Sequence, residues 1–123
     1  MNLHKNFPIS QRTLEKILID IRKLYPESDA IYLAGTYARV NETPSPKKGH
    51  DIDIVIHFPT SVNKRVIELR NDDALWNKWS HVKSKKPIID FLFMFGKDVP
   101  HYGQHQWRIS EGLETPRIIL WRK

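Results

Sequence analysis

Residues 32–58 read YLAGTYARVNETPSPKKGHDIDIVIHF. Two aspartates, Asp51 and Asp53, stand one residue apart at the head of an apolar stretch, and Gly35-Thr36 closes a shorter apolar run before them. A strand alternates its side chains, so positions i and i+2 share a face about 7 Å apart. Asp51 and Asp53 therefore converge on one side of a strand whose Ile52, Ile54 and Ile56 bury on the other. Like charges at the head of a buried strand need compensation, because burial and mutual repulsion both oppose ionisation.

Working outward, AIYLA (30–34) reads as a short strand ending at Gly35, TYARV as one or two helical turns, and 41–50, with Pro44, Pro46 and Gly49, as a loop. DIDIVIHF (51–58) is the strand just described. Upstream, Leu14, Ile17, Leu18, Ile21, Leu24 and Tyr25 recur at helical spacing after Ser10, and Pro26 follows, which predicts a helix over 10–25. Downstream, Thr60 or Ser61 is expected to cap a helix carrying Val62, Val66 and Leu69, restarted at Asp72 or Asp73 and running through Trp79. PIIDFLFMF (87–95) is a second strong strand, 96–116 a polar segment, and PRIILWR (116–122) a last strand. Helices and strands mixed in this order predict a single α/β (α+β) domain over 1–123, a small mixed sheet flanked by helices.

The remaining bounds agree with a soluble globular chain. It has 123 residues, 40% hydrophobic and 28% charged, enough to bury roughly two-thirds of the unfolded surface. There is no cysteine, which excludes disulfides and thiolate metal sites and makes an intracellular, cytoplasmic chain the expectation. The N-terminal residues lack the apolar core of a signal peptide, and no run approaches a membrane span. The net charge of +6 favours an anionic partner such as a nucleotide, RNA or an acidic protein face. The densest basic cluster, WNKWSHVKSKKP, interleaves Lys78, Lys83, Lys85 and Lys86 with Trp76 and Trp79. That pattern can grip single strands. Leu75, Trp76, Trp79 and Val82 also form one helical stripe, which reads as core with solvated lysines.

Asp90 joins the aspartate pair. It sits inside Ile88-Ile89-Asp90-Phe91-Leu92-Phe93-Met94-Phe95, a run whose continuity implies a strand covered on both faces. An unpaired carboxylate there would cost several kcal/mol or take up a proton. Either an Arg or Lys pairs with it, or it shares a divalent cation with Asp51 and Asp53 on an adjacent strand. Three hard oxygen ligands suit Mg²⁺. Gly35-Thr36 adds the complementary half: a strand that ends in glycine and enters a helical turn offers backbone N–H groups and a hydroxyl to an anion, with no side chain in the way.

With these residues in view, LAGTYARV followed by DIDIVI and later IIDFLF resembles the DNA polymerase beta-type nucleotidyltransferase superfamily, in particular its minimal nucleotidyltransferase domains. The resemblance spans about residues 30–95. It departs from the usual pattern at Thr36 for serine, Val40 for glycine and His50 for serine, and the loop is longer. The resemblance implies the nucleotidyltransferase fold and a two-ion, Mg²⁺-dependent transfer of a nucleoside monophosphate, AMP from ATP, to a hydroxyl. It implies that Gly35, Thr36 and Arg39 meet the nucleotide, that Asp51 and Asp53 bind the metals bridging its phosphates, and that Asp90 binds metal on the acceptor side and helps deprotonate the attacking hydroxyl. The acceptor implied is a protein, with RNA next, and a partner protein or homo-oligomer is expected. The contrasting expectation is a catalytically silent nucleotide- or RNA-binding module of the same fold.

Other residues carry weaker signals. His101 and His105 are four apart, but Gly103 and Pro100 argue against a metal-binding helix. His50, Lys47 and Lys48 could approach a phosphate or simply occupy a solvated loop. Trp107 and Trp121 read as core or interface.

Overall fold

The computed structural model describes residues 3, 7–35, 37, 51–70, 73–81, 88–96, 101–102, 105–106 and 118–123. Helix α1 (Gln11–Leu24) starts where its sequence says it should. Ser10 is extended, and its Oγ accepts a hydrogen bond from the Thr13 backbone N–H at 3.1 Å. Arg22 and Lys23 fall in the last turn, where cations meet the negative end of the helix dipole. Leu14, Ile17, Leu18 and Ile21 form the buried stripe. Ser10→Ala removes the cap and is expected to lower stability by about 1 kcal/mol in urea denaturation, leaving the sheet untouched.

Strands β1 (Ala30–Ala34), β2 (Ile52–Phe58), β3 (Ile89–Phe95) and β6 (Ile118–Arg122) make a four-stranded sheet in the order β3-β2-β1-β6. β1 runs antiparallel to β2 and β6, and β2 runs parallel to β3. A parallel pair needs a crossover, supplied by α2 (Lys64–Arg70) and α3 (Ala74–Trp79). Two-residue strands β4 (His101–Tyr102) and β5 (His105–Gln106) pair as a separate antiparallel ladder. This hairpin lies inside the segment read from sequence as merely polar. No helix among the described residues is long and apolar enough to cross a membrane.

The sheet has two unlike faces. Ile31, Leu33, Ile52, Ile54, Ile56, Phe58 and Ile89 form one core with the α1 stripe, Ile67 of α2 and Leu75 of α3. Residues of the opposite parity, Ala34, Val55 and Leu92 with Tyr32 and Met94, cluster separately. Period-two alternation puts Asp53, His57 and Asp90 on this second face, away from the helices. Its far end is tied by His57, whose Nδ1 lies 2.5 Å from an Asp29 carboxylate oxygen and whose Nε2 lies 2.9 Å from the Gly96 carbonyl.

Three expectations change here. Helix α2 begins at Lys64, with the Asn63 side chain accepting from the Arg65 N–H at 3.0 Å, rather than at Thr60 or Ser61. Its buried residue is Ile67, while Val66 and Leu69 face out at 46% and 75% exposure. In a helix of two turns that abuts the core only at Ile67, propensity cannot fix the register; packing does. Asp73 precedes α3 in a left-handed conformation and makes no side-chain cap bond. Finally, β3 is an edge strand of the described sheet, so Asp90, Phe91, Phe93 and Met94 are half-buried rather than sealed on both faces.

The aromatic-basic cluster is largely structural where described. Trp79 donates its indole N–H to Asp20 of α1 at 3.0 Å, and Lys78 pairs with the same carboxylate at 2.7 Å. Leu75 is buried, while Trp76 faces outward. Val82, Lys83, Lys85 and Lys86 lie outside the described residues. Trp121 is half-buried under the Arg22 guanidinium, 4.6 Å from its ring centroid, and Trp107 lies outside the described residues.

Candidate active site

Strand register assembles the site. Ala34 of β1 pairs with Asp53 of β2, and Asp53 pairs with Asp90 of β3, so three neighbouring strands present Ala34, Asp53 and Asp90 side by side on the helix-free face. The Ile52 N–H donates to the Ile88 carbonyl at 2.7 Å, which locks the two acid-bearing strands in step just where the acids begin. Asp51 stands one residue ahead of β2 and is exposed.

Gly35 follows Ala34 with φ +71°, a conformation that side chains with a Cβ rarely adopt. The missing Cβ matters twice, because one added there would collide with Asp53 Oδ2 and stand 3.3 Å from its Cγ. The Asp53 carboxylate thus lies against the backbone at the exit of β1. Its other oxygen, Oδ1, is buried and accepts no hydrogen bond among the described residues. Burial first, then the negative charges of Asp90 and Asp51, push the Asp53 carboxyl from its ordinary value of 3.8 up to about 7. A buried ion pair would have lowered it. Among the described residues the charges that act on Asp53 are those of Asp90 and Asp51, both negative.

The three acids are electrostatically coupled without forming a closed cage. Among the described residues no three His, Asp or Glu side chains converge closely enough to hold one ion. Asp53 and Asp90 are brought together by register, and Asp51 stands one residue ahead of β2 with its charge still acting on Asp53. Thr36, Arg39, Lys47, Lys48 and His50 lie outside the described residues, and His101 and His105 fall on the small two-stranded ladder, opposite Gln106 and Tyr102.

One residue of this region escaped the sequence reading. Tyr37, two positions past Gly35, is buried in the helix-side core with its ring edge-on to Phe7 at 5.7 Å. Its hydroxyl is raised above its ordinary value by burial and then by the charge of Asp51. The signal was present: an aromatic so soon after a strand-ending glycine has little choice but the core. Asp29 and Gly96, the clamps on His57, gave no such signal, since only tertiary structure brings them together.

Comparison with known proteins bears on this arrangement. A family model described as a nucleotidyltransferase domain matches residues 14–111. A solved structure of a protein from Sulfolobus solfataricus, named as a candidate nucleotidyltransferase, is similar with a TM-score of 0.47 at 13% identity, over 91% of this chain and 79% of that one. No curated protein matches the chain in sequence. With the family model spanning both strand-borne acids, the glycine and the sheet between them, the chain belongs to the nucleotidyltransferase domain family and is a nucleotidyltransferase.

Proposed function

We propose that the chain is a metal-dependent nucleotidyltransferase that moves a nucleoside monophosphate, AMP from ATP, onto a hydroxyl of a protein or RNA acceptor in the cytoplasm. The observation that carries this reading is Asp53: a carboxylate with an orphaned buried oxygen, raised to about 7, beside Asp90 and against a glycine backbone. A carboxylate so placed is costly to ionise, and a bound cation would offset that cost. The donor set is all oxygen, which fits Mg²⁺. Asp53 and Asp90 would hold it, joined by Asp51, which is exposed one residue ahead of β2. Two divalent ions bound there would neutralise the triphosphate and stabilise the attacking and leaving oxygens.

The chain's own residues do the rest. Gly35 leaves its backbone open to a phosphate, and by the family resemblance Thr36 would supply a hydroxyl and Arg39 a positive charge to the triphosphate. Asp90 accepts the acceptor's hydroxyl proton. The acceptor oxygen then bonds to the α-phosphorus as the bond to the pyrophosphate oxygen breaks. A partner protein or a second copy that presents the acceptor is part of the proposal.

One observation favours a second reading, a silent nucleotide- or RNA-binding module: among the described residues no three acids are arranged to hold one ion. Incubation with labelled ATP, GTP, CTP or UTP, Mg²⁺ and a cell lysate separates the two. Transfer of label to protein or RNA, ATP being the best donor, is the expected result. Binding of triphosphate without any transfer would leave the silent module standing.

A further inference from the structure

We propose that Tyr37 is a positioning residue for the nucleotide site, and that its contact with Phe7 makes the segment ahead of α1 a brace for the phosphate cradle. The inference deepens the nucleotidyltransferase reading and rests on it. Gly35 carries the conformational freedom that the cradle needs, and freedom alone does not define a site. A glycine at φ +71° has no Cβ to restrict it, so the path of the chain beyond it must be set by something else.

Tyr37 is placed to do this. Only one residue separates it from Gly35, its side chain is 4% exposed, and it belongs to the same core as Ile52, the residue between Asp51 and Asp53. Its ring meets Phe7 at an interplanar angle of 87°, the edge-to-face geometry aromatic pairs prefer. Phe7 and Leu3 pack on this core from before α1, and Ile9 is buried within it. The result is a chain of contacts from the N-terminal segment, through Phe7 and Tyr37, to the glycine that abuts Asp53. The brace therefore reaches the core next to the backbone that would take phosphate.

Such a residue acts through others. Removing it should weaken the hold on phosphate whatever base is attached, whereas a simple loss of core packing elsewhere should not. The test measures the dissociation constants of ATP and of inorganic tripolyphosphate, each with Mg²⁺, by titration calorimetry on the full chain. Phe7→Ala and Tyr37→Ala are expected to weaken both ligands by the same factor, about tenfold, as displaced positioning groups do. Tyr37→Phe keeps the ring packing and should bind tripolyphosphate within about twofold of wild type. Ile67→Val, a trimmed core residue under α2, should lower the melting temperature without changing either constant.

Should Tyr37→Ala fail to fold, Phe7→Ala, which trims a half-buried ring, decides. A folded Phe7→Ala that binds tripolyphosphate like wild type overturns the brace and leaves the nucleotide reading intact. So does an Ile67→Val that weakens binding as much as Phe7→Ala. Wild type that binds no triphosphate at all would defeat the nucleotide reading, and the brace with it.

Discussion

In chelator at pH 8, Asp53→Asn is expected to be more stable than the wild type by about 2–4 kcal/mol, and at pH 4 the two should be nearly equal. The sign follows from which protonation state folding prefers. The folded carboxyl titrates near 7 and the unfolded one near 3.8, so between those values the native state holds the extra proton. Stability from this group is complete below the lower value and is lost as pH rises through the upper one. At about 1.4 kcal/mol per pH unit the full penalty is about 4 kcal/mol, and partial solvent access to the carboxyl trims it. Asparagine cannot ionise and escapes the penalty. Were Asp53 instead the partner of a buried cation, the same substitution would cost about 3–5 kcal/mol.

Mg²⁺ with ATP should reverse the ranking, stabilising the wild type by mass action and leaving Asp53→Asn unmoved. Transfer should fall about 10³-fold or more in the variant, matching several kcal/mol of lost charge stabilisation. Denaturation across pH, with and without Mg²⁺ and nucleotide, checks all three statements. A variant clearly less stable than wild type at pH 8 in chelator would sink the metal account.

Gly35→Val is the second large effect. It is expected to lose about 2–4 kcal/mol, from a left-handed backbone forced on a β-branched residue and from overlap with Asp53. Triphosphate binding should vanish. The overlap is separable from the backbone strain by a double-mutant cycle. Combining Gly35→Val with Asp53→Ala should cost less than the two changes summed, by about 0.5–3 kcal/mol, because the alanine vacates the space the new Cβ needs. Strict additivity by urea denaturation would mean that Gly35 and Asp53 do not touch.

What could be read in advance follows the range of the forces involved. α1 and the four sheet strands were legible because each signal is local: Ser10 and the helical stripe for α1, apolar runs broken at Gly35 and the loop for the strands. Asp51, Asp53 and Asp90 stood out because charge is rare in such runs. That Asp90 lies on a strand adjacent to the pair was expected and holds, but the exact register was not legible. That Asp53 lies between Ala34 and Asp90 depends on strand order, which no single strand encodes. Strand order also moved the strain: Asp90 looked like the costly acid from its neighbours in sequence, but β3 sits at the edge and Asp53 bears the burial. The His101–Gln106 ladder was missed because two-residue strands carry no periodicity.

The order β3-β2-β1-β6 also dictates a history. β1 acquires β2 from the next strand in sequence, but its other neighbour is drawn from residues 118–122, with Ala30 opposite Arg122. Contacts so distant in sequence form slowly, since the closure entropy must be met before any of them contributes. Until then one edge of β1, apolar and flat, offers unmet N–H and C=O groups to any passing strand. In the finished molecule β1 is among the best-shielded strands; during folding it is the one most open to mispairing.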